Sequence, residues 1–230
     1  MGNFTTTLHT ERPPTKALLS IRGGVSSPDT FATIASTPDN RAAFIKSSIG
    51  VARKYDFVGL DVDWEFPPTP QDMSNLAVLF SAWRAAIDME SNASGKPQLL
   101  LSAAVYIASN FFLSSTARTY PGDAILKNLD FENPMCYDYR GAWDASVTGA
   151  QALLFGKASN ISTSHGISTW IQNGVPQEKL VMGMPMYGRT WQLKDPRYHG
   201  IGDPVQLNWT RQCRQGRSQK KMSVGSKLYL

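Results

Sequence analysis

The segment from Tyr55 to Pro68, Tyr-Asp-Phe-Val-Gly-Leu-Asp-Val-Asp-Trp-Glu-Phe-Pro-Pro, sets three carboxylates at alternate positions within a short apolar run. Such a run reads as a strand, and side chains along a strand point alternately to its two faces. Asp61, Asp63 and Glu65 therefore share one face, and Leu60, Val62, Trp64 and Phe66 the other. Successive acids on one face lie roughly 6 to 7 Å apart and repel one another. Either water solvates an acidic edge strand, or the cluster is built for a reaction. Clustered carboxylates titrate apart, so that one stays protonated near neutrality while others stay ionised. Cleavage of a glycosidic bond asks for that division of labour. Pro67-Pro68 stops the ladder and leaves Glu65 at the carboxyl end of its strand, which is the catalytic face in a parallel α/β barrel.

The rest of the chain alternates strand and helix. Lys16 to Ile21 is a short apolar strand running into Arg22-Gly23-Gly24, a turn where backbone can approach a ligand. Asp39 to Lys54 carries Phe44, Ile45, Ile49 and Ala52 at helical spacing. Asp72 to Glu90 places Leu76, Leu79, Phe80, Trp83 and Ile87 on one helical face, with Asp72 or Ser74 as its cap and Trp83 in the core. A strand from Gln98 to Val105 closes on Tyr106, which is either core or cleft wall. A weaker helix near Gly122 to Asn128 leads into a strand from Phe131 to Asp138, followed by a helix from Ser164 to Asn173 with Trp170 inside, and a strand from Lys179 to Met184. Strands that alternate with helices imply a parallel sheet, with the three acids on its enclosed side.

The net charge of +5 over 230 residues would suggest a nucleic-acid partner. Residues 211 to 230, however, hold six Lys and Arg and no acid, and without them the balance is slightly acidic. The basic character belongs to a terminal segment, and no nucleic-acid partner is expected. The charge-free stretch from Pro97 to Ala117 has membrane-spanning length, but it is interrupted by seven Gln, Ser, Asn and Thr residues and reads as a strand and loop, so no membrane is expected. Cys136 and Cys213 imply no disulfide framework, and Cys136 reads as a small core residue. The first residues show no apolar core of secretory length, whereas Asn3, Asn92, Asn160 and Asn208 each open an Asn-x-Ser/Thr sequon, more than composition predicts. That pattern points to a body of secreted descent.

The stretch Gly59-Leu-Asp-Val-Asp-Trp-Glu65 resembles the signature of the family 18 glycoside hydrolases, and the flanking sequence is similar to the plant class V chitinases. The resemblance implies a (β/α)8 TIM barrel with Glu65 as general acid, Asp63 orienting the substrate N-acetyl group and Asp61 in support. Met135-Cys-Tyr-Asp138 resembles the family's Met-x-Tyr-Asp at the end of its sixth strand, which implies that Tyr137 holds the acetamido oxygen and that Met135 and Asp138 line the same subsite. Trp143 corresponds to a tryptophan that stacks on sugar. Pro185 to Trp191 resembles the seventh-strand segment, with Tyr187 and Arg189 reaching the cleft, Trp191 at its rim and Tyr106 a further binding candidate. The sequence departs from the family in four places. Val58 stands in place of an Asp, Arg22 in place of the first glycine of Ser-Ile-Gly-Gly-Gly, and Glu132 and Pro134 at apolar positions.

The resemblance runs from about Phe4 to Val205 and covers strands three to seven of the family barrel. The implied fold class is α/β, a partial (β/α)8 barrel over 1–205, with a divergent basic tail over 206–230 expected to be disordered. The first two strands and the eighth, which carries the tryptophan flooring the catalytic subsite, lie outside the match. The implied reaction is substrate-assisted hydrolysis of β-1,4 N-acetylglucosamine linkages in chitin or chitooligosaccharides, outside the cell and without cofactor or metal. A protein that grips oligosaccharide through Trp143, Tyr106 and Tyr187 without turnover is the alternative, as is a truncated product with no function of its own. A metal site on Asp61, Asp63 and Glu65 lacks the His or carbonyl ligands that would complete its shell.

Overall fold

The computed structural model describes residues 2–11, 13, 15–24, 27–144, 146–156 and 160–206. The expected basic tail lies outside them from residue 207 on, as do Cys213 and the sequon at Asn208. The chain divides into two compact units, one made of Met1–Pro134 with Ile167–Val181, the other of Met135–Gly166 with the chain from Met182 on.

The first unit is a parallel α/β sheet. Its strands β1 (Leu18–Arg22), β2 (Gly59–Asp63), β3 (Leu100–Val105) and β4 (Phe131–Pro134) are all parallel and lie in the order of the sequence. Helices α2 (Pro28–Ser36) and α3 (Pro38–Lys54) connect β1 to β2, α4 (Pro70–Ser94) connects β2 to β3, and α5 (Gly122–Asn128) connects β3 to β4. Helix α1 (Gly2–Thr10) precedes the sheet and α6 (Thr163–Gln172) follows it. Local chemistry sets the helix starts. Ser27, Thr37 and Thr69 each accept a hydrogen bond from an N–H in the first turn, and each is followed by a proline, which is pre-shaped for the first helical position. The cap of α4 is thus Thr69 and not Asp72 or Ser74. Asp72 sits three residues inside, where its carboxylate accepts from the Thr69 hydroxyl. Gly95, left-handed at φ 69°, ends the helix.

The expected parallel alternation of strand and helix is present, with three revisions. β2 is shorter than the apolar run, because α3 extends to Lys54 and Asp56 takes a left-handed φ of 58°. β4 stops at Pro134, which has no N–H to continue the ladder, so Met135 to Asp138 leave the strand. The expected strand from Lys179 to Met184 is reduced to a 3₁₀ turn (Gln177–Lys179) and one parallel bridge from Leu180 to Glu132, because Gly183 and Pro185 interrupt the run. Helices α1 and α2 were not legible as apolar periods.

The core lies between one face of the sheet and the helices. Leu60, Val62, Leu101, Ala103 and Val105 pack there with Phe31, Ile45, Leu76, Leu79, Phe80, Trp83 and Ile87. Trp83 and Trp170 are fully buried, as their helical positions imply, and Trp170 donates its indole N–H to the Ile107 carbonyl at 3.2 Å. Register aligns Ile21, Val62, Ala103 and Glu132 in one row of this apolar face. Glu132 is fully buried there, and among the described residues neither carboxyl oxygen has a hydrogen-bond partner. Burial pushes its carboxyl well above the usual range, so it is held protonated.

Glu132→Val should therefore stabilise the fold by about 2 kcal/mol, the cost of an unsatisfied buried polar group. A carboxyl whose folded pKa is raised adds no ionisation penalty below its unfolded value near about 4.3 and costs progressively more stability as pH rises towards its folded value. The gain should accordingly be larger at pH 7 than at pH 4 in urea unfolding. An equal gain at both would mean that the carboxyl reaches water.

Candidate active site

The same register that buries Val62 outward turns the alternate residues inward. Ser20, Asp61 and Ser102 form one row, and Arg22, Asp63, Ala104 and Asn133 the next. Asp61, 4% exposed, is held by donors from three strands: Ser20 Oγ donates to Oδ2 at 2.7 Å, Ser102 Oγ to Oδ1 at 2.7 Å and Asn133 Nδ2 to Oδ1 at 3.4 Å. Asp63 is buried on the same side, one pleat closer to the carboxyl end. Glu65 follows two residues after β2 ends, half-buried, and the Glu65–Phe66 peptide is cis.

The turn after β1 makes room for these acids. A Cβ added at Gly24 would lie 2.9 Å from Glu65 Oε2, and one at Gly23 would lie 3.3 Å from Asp63 Oδ2. Arg22 takes a φ of 78°, which favours glycine. Its guanidinium lies 5.7 Å from the Phe31 ring centre and donates to the Ser27 carbonyl. Val58 serves the sheet through its backbone, donating to the Ala17 carbonyl at 2.9 Å and accepting from Leu100 N–H at 3.0 Å. Tyr106 lies beside the carboxylate segment, its ring 5.5 Å from that of Phe66 and stacked at 4.5 Å on Phe111. Burial raises the pKa of its phenol. Ser20, Ser102 and Asn133 were missed by sequence reasoning; Ser102 is the lone polar residue of β3, a signal that could have marked it, whereas Ser20 and Asn133 share their strands with Arg22 and Glu132.

The second unit gathers the other candidates. Asp138, at a left-handed φ of 59°, pairs with Arg189 at 2.6 Å. The Arg189 guanidinium also lies 5.1 Å from the ring centres of both Trp143 and Tyr187, and the Tyr187 ring is edge-on to Tyr137 at 6.3 Å. Trp191 donates its indole N–H to the Gly141 carbonyl at 3.1 Å, and the Trp143 ring covers the space a Cβ would need at Gly141. Trp143 is 56% exposed, so an aromatic face backed by a cation is open to solvent. Met135 is nearly buried and leads into Tyr137. Cys136 is buried outside any strand, and burial pushes its thiol up to about 11, against hydrogen bonds with Tyr139 and Thr163. Burial first, and Asp138 after it, raise the pKa of the Tyr187 phenol.

The structure thus brings Asp61, Asp63, Glu65 and Tyr106 together in the first unit, and Met135, Tyr137, Asp138, Trp143, Tyr187, Arg189 and Trp191 in the second. Among the described residues no cluster of His, Cys, Asp or Glu is arranged to hold a metal ion, and no helix is long and apolar enough to cross a membrane. A carboxyl group beyond a strand end, with an anchored acid row beneath it, can exchange a proton with a bound molecule.

Residues 2–225 match the model of glycosyl hydrolases family 18. Nod factor hydrolase protein 1 of Medicago truncatula is 52% identical over 204 residues, covering 89% of this chain and 53% of the relative. The chain spans about half the length of the curated relatives it matches first. A mutant class V chitinase from Nicotiana tobaccum, solved in complex with NAG4, superposes with a TM-score of 0.84 at 40% identity over 89% of this chain and 58% of that one. The chitinase-like agglutinin of Robinia pseudoacacia gives 0.81 at 40% identity over 94% of this chain and 66% of that one. With the family model matching nearly its whole length, the chain belongs to the family 18 glycosyl hydrolases.

Proposed function

We propose that residues 1–205 are the catalytic segment of a chitinase-type glycoside hydrolase that cleaves β-1,4 N-acetylglucosamine linkages outside the cell. The observation that carries this reading is the row Asp61, Asp63 and Glu65, with Asp61 anchored by Ser20, Ser102 and Asn133. The solved class V chitinase in complex with NAG4 supports the choice of substrate.

In the proposed reaction Glu65 donates its proton to the glycosidic oxygen. The acetamido oxygen of the sugar attacks the anomeric carbon, and the bond to the leaving sugar breaks with its electron pair going to the protonated oxygen. Asp63 accepts from the acetamide N–H as that nitrogen becomes positive, which aligns the acetamido oxygen for attack. Water then opens the cyclic intermediate, with Glu65 taking back the proton. Asp61, fixed by its three donors one pleat before Asp63, supports Asp63 in position. Trp143 and Tyr187 offer aromatic faces to pyranose rings, with Arg189 and Asp138 locking Tyr187 beside Tyr137. Sugar binding without turnover is the second reading, favoured by the likeness to the Robinia agglutinin.

Glu65→Gln keeps the shape of the side chain but removes the acid. It should lower turnover of a fluorogenic chitooligosaccharide by at least about 100-fold while affinity stays within a few fold. Equal turnover in both proteins would discard Glu65 as the acid, and binding with no turnover in either would establish the agglutinin-like reading. Ser102→Ala, which removes one donor from Asp61, should cost about 1.4 kcal/mol, or tenfold in turnover, with a smaller change in affinity. A matched loss in both would show that Ser102 acts on binding and not on the reaction.

A further inference from the structure

We propose that Asn92 and Asn160 are acceptors for N-linked oligosaccharide. Both open sequons, Asn92-Ala-Ser94 and Asn160-Ile-Ser162, and both asparagines are exposed. Neither belongs to the site described above. In the transfer, the side-chain amide nitrogen bonds to the anomeric carbon of an oligosaccharide carried on a polyprenyl diphosphate. The C–O bond to the diphosphate breaks, the diphosphate leaves with the electron pair, and an amide proton passes to a base of the transferase.

The two positions differ in what folding leaves accessible. Asn92, Ala93 and Ser94 are all exposed on the last turn of α4, just before Gly95 ends the helix. A glycan there projects from the α4 end remote from its start near Glu65. Asn92 lies 22 residues after Pro70 along the helix, about 33 Å at the usual rise. The pairing of Glu90 with Arg53 of α3, and of Arg53 with the Pro97 carbonyl at 2.9 Å ahead of β3, places this end at the amino ends of the strands. Glu65, beyond the carboxyl end of β2, therefore stays clear of it. Asn160 is exposed in the segment before α6, but its sequon hydroxyl is not. Ser162 is 1% exposed and accepts from the His165 N–H at 3.4 Å as the cap of α6. A transferase must read that hydroxyl before α6 forms, so Asn160 is modified during synthesis, whereas the last turn of α4 can fray and remain readable afterwards. The side chain of Asn3 and the whole of Asn208 lie outside the described residues.

The test is expression of the full chain behind a cleavable secretory leader in a eukaryotic cell line, followed by digestion with a peptide N-glycosidase. The expected result is two glycosidase-sensitive shifts in mobility, one lost in Asn92→Gln and the other in Asn160→Gln. Ser94→Thr, which keeps the sequon, should retain the shift that Asn92→Gln removes, and Asn92→Gln should leave the urea midpoint of the deglycosylated chain unchanged. Mobility indifferent to the glycosidase in the secreted chain would overturn the proposal. So would peptide mass mapping that finds glycan only at Asn3 or Asn208, and a single shift would overturn the site whose substitution leaves it in place.

Discussion

The first unit depends on how a buried carboxylate is kept in place. Asp61 lies in the middle of the sheet, where an ion stripped of water is tolerated only if donors replace its hydration. Three strands supply them, Ser20 from β1, Ser102 from β3 and Asn133 from β4. The arrangement works in one register alone. A slip of one residue in β2 would turn Leu60 or Val62 towards these donors and the acids towards the helices. The polar row and the apolar row thus specify the same alignment from opposite faces, and Asp63 and Glu65 inherit their positions from it.

Glu65 is positioned by what lies next to it as well as by its strand. Gly23 and Gly24 leave room for the carboxylates of Asp63 and Glu65. The aromatic packing of Phe66, Tyr106 and Phe111 closes over the segment that follows Glu65. In the second unit Arg189 has the corresponding organising role, since it pairs with Asp138 and faces Trp143 and Tyr187 at once. A planar cation can satisfy a carboxylate at its edge and aromatic rings at its faces, which a lysine would not do equally well. Each unit therefore presents a preorganised group, one made of acids and the other of aromatic faces around an ion pair.

Two residues in β4 show where the chain departs from that consistency. Pro134 ends the strand for want of an N–H, and Glu132 puts a carboxyl into the apolar row of Ile21, Val62 and Ala103. Both lie on the strand that carries Asn133 to Asp61. The inward residue keeps its hydrogen bond while its neighbours on the other face carry the cost. This is the point in the sheet where the demands of packing and of the acid row are least reconciled.

Alternation in the run from Leu60 to Phe66 was enough to determine the two faces of β2, and helical spacing was enough to determine that Trp83 and Trp170 are core. These are local periods, which a chain carries without reference to its partners. The tertiary structure alone decided what holds Asp61, because its donors come from positions 20, 102 and 133 and meet only through strand register. It also decided the direction of Arg22, whose guanidinium lies 5.7 Å from the Phe31 ring centre. The bounds of β2 were likewise set by its surroundings, with α3 running to Lys54 and Asp56 left-handed before it, whereas the end of β4 follows from Pro134 itself.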